Sequence, residues 1–256
     1  MEIRGAWALV TGGARRLGAG IARGLAAAGA NVAVHHGHSR EQAKRTVAEI
    51  QALGVEAFSA QADLADPDAL ASLFDTVATH CGRLDLLVNS AASFQRMPLG
   101  EITVDDWDAV VALNLRAPWL CLRHAVELMM AKSGEQRECG VVVNIADLTG
   151  VQAWAGYSHH GVSKAGLIHL TKIAARELAP KVRVNCVVPG AILPPPGMSI
   201  EDREWAAKRD RIPLQRTGEA SDVAGAVVFL ARSHFITGSV LAVDGGEHLI
   251  GGGPVA

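Results

Sequence analysis

The chain has 256 residues, of which 49% are hydrophobic and 20% charged, and its formal net charge is -2. This is an ordinary globular composition without a polycationic surface, which excludes nucleic acid and anionic membrane as expected partners. Its apolar runs are far shorter than the roughly 20 residues of a membrane helix, and residues 1–10 lack a leader pattern. We therefore expect a cytoplasmic protein that folds as one domain over residues 1–256.

Seven apolar, β-rich segments alternate with longer helical patterns. Segments that are apolar on both faces are typical of strands in a parallel sheet covered by helices. The alternation predicts a doubly wound, Rossmann-type α/β fold, with a seven-stranded parallel sheet and helices on both faces. The predicted strands are Ala6–Val10, Asn31–His35, Val55–Ala60, Leu84–Asn89, Val141–Ile145, Arg183–Val188 and Val240–Val243.

Two helices have clear start signals in the sequence. Ser39 with Gln42 three residues later predicts a capping box. Asp66 followed by Pro67 predicts an N-cap with proline at the first helical position.

A glycine-rich turn, Thr11–Gly18, follows the first strand and leads into a helix rich in Ala and Leu. Glycines at such a turn let the backbone approach a pyrophosphate, whose charge is met by free N–H groups and the helix dipole. A second strand that ends about twenty residues later makes this a specific dinucleotide-binding signal.

The end of the second strand favours NADP(H) over NAD(H). An NAD site places a carboxylate there to bind the ribose 2′-hydroxyl, whereas residues 35–40 read His-His-Gly-His-Ser-Arg. With Arg16, these donors suit a 2′-phosphate. A metal site at the histidines is the weaker alternative, because no cysteine or carboxylate completes it. We expect no metal, and reduced structural thiols at Cys81, Cys121, Cys139 and Cys186.

Residues 189–213 form an irregular segment with a proline run and a short polar helix candidate, Glu201–Arg209, that contains Trp205. Loops of this length in a compact domain are usually functional or disordered. We interpret the segment as a lid over the substrate, with a plain surface excursion as the alternative.

The chain resembles the short-chain dehydrogenase/reductase family from about residue 5 to residue 249. The matching motifs follow one another in the family's order: Thr11–Gly18, Asp63–Leu64, Asn89–Ala91, Asn114, Lys164, Pro189–Gly190, Thr237–Gly238 and Val243–Gly246.

Within the family, the chain is similar to the pteridine reductase branch. The similarity rests on Arg16 in place of the usual middle glycine, Ser39 after the histidines, Phe94, Asp147 and residues 189–193. It implies NADPH-dependent reduction of a pterin or folate.

The resemblance also implies roles for individual residues. Arg16 and Ser39 would bind the 2′-phosphate, Asp63 and Leu64 would line the adenine pocket, and Gly190 and Ile192 would border the nicotinamide. The residues expected to bind the cofactor are Gly12, Arg15, Arg16, Leu17, His36, His38, Ser39, Asp63, Leu64, Asn89, Ser90, Ala91, Lys164, Pro189, Gly190 and Ile192.

The catalytic candidates are Asn114, Asp147, His160 and Lys164. The family pairs a tyrosine with a lysine four residues later, on one helix face. Here that tyrosine position is His160, and Asp147 stands at the usual serine position. We hypothesise that Asp147 and His160, with water, protonate the substrate, while Lys164 and Asn114 position the cofactor and the proton relay. A silent, diverged His160 and a capping role for Asp147 are the alternatives.

Substrate binding is expected at Phe94, Asp147, Tyr157, Leu193 and Trp205. The resemblance implies that Phe94 stacks a flat bicyclic ring against the nicotinamide; ordinary core packing is its alternative. Tyr157, the only tyrosine, would stand at the pocket mouth.

Three functions remain open on the sequence alone. The first is reduction of a pteridine-like C=N bond. The second is reduction of another carbonyl substrate with Tyr157 as the acid, and the third is a non-catalytic NADP(H)-binding sensor. The resemblance further implies a homotetramer built through the helices that carry Trp119, Leu120, Leu128, Leu167, Leu170 and Ile173, although these side chains could equally serve the internal core.

Overall fold

A computed structural model describes residues 1–131, 138–195 and 197–250 of the chain. Its centre is a parallel sheet of seven strands in the order β3-β2-β1-β4-β5-β6-β7. The strands are β1 Trp7–Val10, β2 Asn31–His36, β3 Ala57–Gln61, β4 Leu86–Asn89, β5 Gly140–Ile145, β6 Val182–Pro189 and β7 Val240–Val243. The predicted Rossmann-type fold and its seven strands are confirmed, with shifts of one or two residues at several strand ends.

Eight α-helices connect and cover the strands in the described ranges. They are α1 Arg16–Ala27, α2 Arg40–Gln51, α3 Pro67–Cys81, α4 Val104–Val111, α5 Ala117–Ala131, α6 Ser158–Leu178, α7 Arg203–Arg209 and α8 Ala220–Arg232. A π-helical turn, Ala112–Arg116, joins α4 to α5.

The strands alternate their side chains between two hydrophobic cores, which explains why they are apolar on both faces. Ala8 and Val10 of β1 pack with helices α1, α2 and α8, whereas Leu9 between them packs with α3, α5 and α6. The same alternation along β4 and β5 places helices on both faces of the sheet. Burial on both sides fixes the strand register, since a one-residue slip would exchange the two faces.

Of the two predicted helix starts, one is confirmed and one is wrong. Asp66 caps α3 by accepting from the N–H groups of Asp68 and Ala69, with proline at the first helical position. Ser39 is the N-cap of α2, but its side chain makes no capping hydrogen bond there. No capping box forms, so the Ser39 hydroxyl does not bond to the first turn of α2.

Within the described residues, no helix is both long and apolar enough to cross a membrane. Strand β1 lies between β2 and β4. The strand order therefore reverses at β1: β2 and β3 follow on one side of it, and β4 to β7 follow on the other. Ligands of doubly wound sheets bind in the crevice that opens at such a point.

Candidate active site

The glycine-rich turn is tightly folded at the carboxyl end of β1. A Cβ atom at Gly18 would overlap the carbonyl oxygen of Gly12, so only glycine allows the helix to begin this close to the strand. Thr11 fixes the turn to the end of β4: its Oγ1 accepts from the N–H groups of Ser90 and Ala91 at 2.9 and 3.1 Å. The turn and the β4 loop are therefore held as one unit.

His35 is a structural residue of this unit that sequence reasoning missed. Its ring is buried, its Nδ1 accepts from the Gly12 N–H at 3.1 Å, and its Nε2 faces the Ala62 carbonyl at 3.1 Å. Burial lowers the pKa of His35 to about 4, although the bond to Ala62 acts in the opposite direction. The ring is thus neutral near pH 7, as a hydrogen-bond acceptor for Gly12 must be.

The end of β2 offers hydrogen-bonding side chains and one arginine. His36 is buried, and its Nδ1 has no hydrogen-bond partner among the described residues, while His38 and Arg40 are exposed. No carboxylate occurs in residues 35–40. An orphaned buried nitrogen near the exposed Arg40 guanidinium fits an anionic group such as the 2′-phosphate of NADP(H).

The adenine-pocket candidates differ in exposure. Asp63 is exposed and its Oδ1 accepts from the Ala65 N–H at 2.9 Å, whereas Leu64 is buried in the core with α3 and α5. Leu64 therefore offers a ligand little surface. In the described chain, no three His, Cys, Asp or Glu residues form a possible metal site.

Arg16 links the glycine-rich turn to the predicted lid. Its backbone has a φ of 53°, a left-handed conformation that glycine adopts more readily, and its Nη2 donates to the Pro194 carbonyl at 2.6 Å. Arg15 and Arg16 are both exposed, and Leu17 is partly buried.

Asn114 holds the loop after β4, and Asn89 links the end of β4 to β5. Asn89 is buried, and its Nδ2 donates to Asn144 Oδ1 at 2.9 Å. Asn114, in the π-helical turn, accepts from the Ser93 N–H at 2.9 Å and donates to the Ser93 carbonyl at 3.0 Å. Both amide side chains therefore form hydrogen bonds within the protein itself.

Asp147 and His160 form the pair that the sequence predicted. His160 Nε2 lies 2.5 Å from Asp147 Oδ2, and its Nδ1 lies 2.8 Å from the Ser93 carbonyl oxygen. The imidazole ring is thus held at both nitrogens, by the Asp147 carboxylate at Nε2 and by the Ser93 carbonyl at Nδ1. The Asn114 amide lies further from Nδ1, at 3.2 Å.

Asp147 is the member of the pair that reaches solvent, since its side chain is 24% exposed and that of His160 only 1%. Burial raises the pKa of Asp147, but the His160 hydrogen bond and the charge of Lys164 outweigh it and bring it to about 2. Thr149 also donates to Oδ1 from its backbone N–H and hydroxyl. The carboxylate is therefore ionised and able to accept from a ligand.

Lys164 follows His160 by four residues on α6 and lies on the same helix face. Its side chain is buried, and its Nζ donates to the Ile145 carbonyl at 2.9 Å. Burial lowers the pKa of Lys164, while the Asp147 carboxylate raises it. Among the residues that the structure describes, this is the one hydrogen bond of Nζ, which leaves two ammonium protons for a ligand.

Phe94 is not a core residue, because its side chain is 52% exposed. Its ring stacks on Tyr157 at a centroid distance of 4.8 Å and meets His160 edge-on at 4.8 Å. Trp154 contacts Tyr157 edge-on at 6.0 Å. We refer to Phe94, Trp154 and Tyr157 as the aromatic wall, which borders the Asp147–His160 pair.

The segment after β6 is clamped by the turn after β7. Gly190 is sterically required there, because a Cβ atom would lie 2.6 Å from the Asp244 Cβ. Glu247 accepts from the Ala191 N–H at 2.9 Å. Sequence reasoning missed this clamp, whose Asp244 and Glu247 lie more than fifty residues away in the chain.

The predicted lid residues differ in how much surface they offer. Pro189 ends β6, Ile192 is buried in the core, and Leu193 is partly buried against it. Trp205 on α7 is only 4% exposed, and Lys208 Nζ lies 5.4 Å from its ring centroid. The buried Trp205 indole thus offers a ligand little surface, while Leu193 keeps some free surface.

Comparisons with known proteins agree with this architecture. A family model described as Enoyl-(Acyl carrier protein) reductase matches residues 12–248. A 3-oxoacyl-[acyl-carrier-protein] reductase FabG of Staphylococcus aureus is 36% identical over 245 residues, which cover 94% of this chain and 98% of that protein.

Solved structures lead to the same family. A short chain dehydrogenase from Burkholderia cenocepacia in complex with NADP has a TM-score of 0.87 and 38% identity, with 96% of this chain and 99% of the other covered. A blue fluorescent protein from a metagenomic library, in complex with NADPH, has a TM-score of 0.86 and 33% identity, with 96% and 99% covered. The chain therefore belongs to the short-chain dehydrogenase/reductase family of NAD(P)-dependent oxidoreductases.

Proposed function

We propose that this chain is a cytoplasmic, NADPH-dependent reductase that acts on a pteridine-like C=N bond. The observation that carries the proposal is the buried His160 paired with an ionised, partly exposed Asp147 beside the exposed Phe94 ring. Phe94 would provide a flat stacking surface, Asp147 an acceptor for ring N–H groups, and His160 a proton for the substrate.

NADPH, when bound, supplies the hydride. We assign its 2′-phosphate to Arg16, Ser39 and the buried His36, and its ribose to Lys164, which has two ammonium protons left. The absence of a carboxylate in residues 35–40 and the orphaned His36 nitrogen support this preference. The glycine-rich turn would face the pyrophosphate.

The substrate would stack on Phe94 and donate an N–H group to Asp147. A 2-aminopyrimidine edge offers such donors, and Asp147 Oδ2, which is bonded to His160, has a lone pair left to accept one. Tyr157 would extend the stacking surface towards the pocket mouth, and Leu193 would close its far side.

We assign His160 to the position of the family's tyrosine, four residues before Lys164. A ketone reduction forms an alkoxide that needs a firm proton donor, whereas hydride addition to C=N leaves a nitrogen that a weaker acid or water protonates. His160 is too buried to touch the substrate, so its proton would pass by way of Asp147 and water. Loss of the tyrosine should therefore slow the reduction of a C=N bond less than the reduction of a ketone.

A carbonyl reductase is the second candidate, because the similar relatives include 3-oxoacyl-[acyl-carrier-protein] reductases. It would need Tyr157 as the acid. Burial raises the pKa of Tyr157, and its ring stacks on Phe94. A phenol with a raised pKa releases its proton reluctantly near neutrality, which favours the C=N substrate.

The test is NADPH oxidation with dihydrobiopterin, biopterin and dihydrofolate, in parallel with a diketone and a quinone, from about pH 4.5 to 8. We expect turnover of the pterins and little of the carbonyls. Turnover of carbonyls alone would establish the second candidate. Tight NADPH binding without any turnover would instead identify a non-catalytic sensor.

A further inference from the structure

Arg96 lies at the rim of the aromatic wall. It is exposed, and its side chain packs on the Gly156 backbone: a Cβ atom at Gly156 would lie 3.1 Å from Arg96 Cγ and 3.2 Å from its Nε. The neighbouring Met97 N–H donates to the Gly156 carbonyl at 2.8 Å. The contact therefore fixes the base of the guanidinium beside Tyr157, the next residue in the chain.

The charge of Arg96 acts on Tyr157, and no carboxylate of the described residues forms an ion pair with it. Arg96 lowers the pKa of Tyr157 against the effect of burial, which raises it. Several other arginines pair with carboxylates, namely Arg23, Arg83, Arg183, Arg209 and Arg216. Across residues 1–131, 138–195 and 197–250, no such pair involves Arg96.

Opposite charges thus lie at the two ends of this row of side chains. The Asp147 carboxylate lies at the inner end against His160, and Arg96 lies at the rim beside Tyr157. Between them, the rings of His160, Phe94 and Tyr157 follow one another at centroid distances of 4.8 Å. A flat bicyclic ring with N–H donors at one end and an anionic tail at the other would match this polarity.

We infer that Arg96 binds the carboxylate tail of the substrate, so that the enzyme prefers a folate-like compound over a pterin with an uncharged tail. The inference rests on the proposed function and narrows its substrate class. An arginine fork matches a carboxylate in a bidentate geometry, and such charge-assisted bonds exceed neutral ones in strength.

The experiment compares dihydrofolate, which has a carboxylate tail, with dihydrobiopterin, whose tail is uncharged. Arg96→Gln should lower kcat/KM for dihydrofolate about tenfold, mostly through KM, and change dihydrobiopterin less than about twofold. The kcat/KM of Arg96→Lys for dihydrofolate should lie between those of the wild type and Arg96→Gln, because lysine keeps the positive charge but cannot form the bidentate bond. Arg45→Gln, an exposed arginine on α2, is the matched control.

Equal losses for both compounds, or no loss for either, would overturn the role of Arg96. If the wild type reduces neither compound, the proposed function fails. A binding measurement then tests the role of Arg96 separately. Quenching of tryptophan fluorescence in the NADP-loaded protein should show tighter binding of folate than of biopterin, with the difference lost in Arg96→Gln. Equal binding of the two in the wild type would contradict the inference.

Discussion

The neutral ring of His35 bridges Gly12 in the glycine-rich turn and Ala62 after β3. The Gly12 N–H points at Nδ1 and the Ala62 carbonyl at Nε2, each at 3.1 Å, which assigns the ring proton to Nε2. Protonation of Nδ1 would abolish the bond to Gly12, and burial opposes it by lowering the pKa of His35 to about 4.

This relationship predicts how stability depends on pH. Because the pKa of His35 is about 4 in the folded chain and 6.5 ordinarily, the unfolded chain binds this proton more readily below pH 6.5. The contribution of His35 is complete above pH 6.5 and is lost as the pH falls towards 4. It amounts to about 3 kcal/mol of unfolding free energy.

The measurement is urea unfolding, followed by tryptophan fluorescence, at several pH values between about 7.5 and 4.5. His35→Gln cannot titrate, so its unfolding free energy should be lower near pH 7 and fall less steeply below pH 6.5 than that of the wild type. His38→Gln, at an exposed histidine nearby, is the control and should keep the wild-type slope. The prediction fails if the slopes for His35→Gln and the wild type coincide.

Periodicity and turn chemistry predicted the fold well, because strands such as Val141–Ile145 can be buried on both faces only in a covered parallel sheet. The pairing of Asp147 with His160 was also predictable, from their places in the family's order of motifs. Long-range hydrogen bonds were not: His35 meets Gly12 only because the glycine-rich turn folds back over β2. Likewise, the exposure of Phe94 and the burial of Trp205 depend on tertiary packing that residue type does not determine.

Arg16 should discriminate NADPH from NADH. Its bond to Pro194 uses one of five guanidinium N–H groups, which leaves others for a 2′-phosphate. Arg16→Gly should raise the Kd of NADPH about tenfold and that of NADH less than about twofold, while glycine relieves the left-handed backbone. Titration of the bound nicotinamide fluorescence measures both constants.

Arg23→Gln is the control for Arg16, since Arg23 lies on the same helix and pairs with Glu49 at 2.6 Å. It should leave both constants unchanged. An equal loss for NADPH and NADH in Arg16→Gly would assign Arg16 to holding Pro194 and the turn rather than the phosphate.

Asp147→Asn should lower kcat with dihydropterin about a hundredfold, because it removes the charge that holds the His160 proton beside the substrate. The Kd of NADPH should change little, which separates this loss from a folding defect. Stopped-flow NADPH oxidation between about pH 5 and pH 8 measures the effect. Full kcat across this range would contradict the role of the pair.

Trp119 and Ile173 are candidates for an interface between copies of this chain. They are 45% and 44% exposed on α5 and α6, whereas Leu120 and Leu167 of the same helices are buried in the cores and can serve only the internal packing. Exposed aromatic and aliphatic side chains on helices that cover one sheet face are typical of an oligomer interface. We expect light scattering to give the wild type the molar mass of a tetramer of its 26.8 kDa chain.

Trp119→Lys should produce smaller species, because burying a lysine ammonium in an apolar contact carries a large desolvation cost. Leu53→Lys is the matched control: Leu53 is 51% exposed and follows α2, away from α5 and α6, so the same change there should leave the tetramer intact. Circular dichroism checks that both variants are folded. A monomeric wild type would remove the predicted assembly, and a tetrameric Trp119→Lys would place the interface elsewhere on the surface.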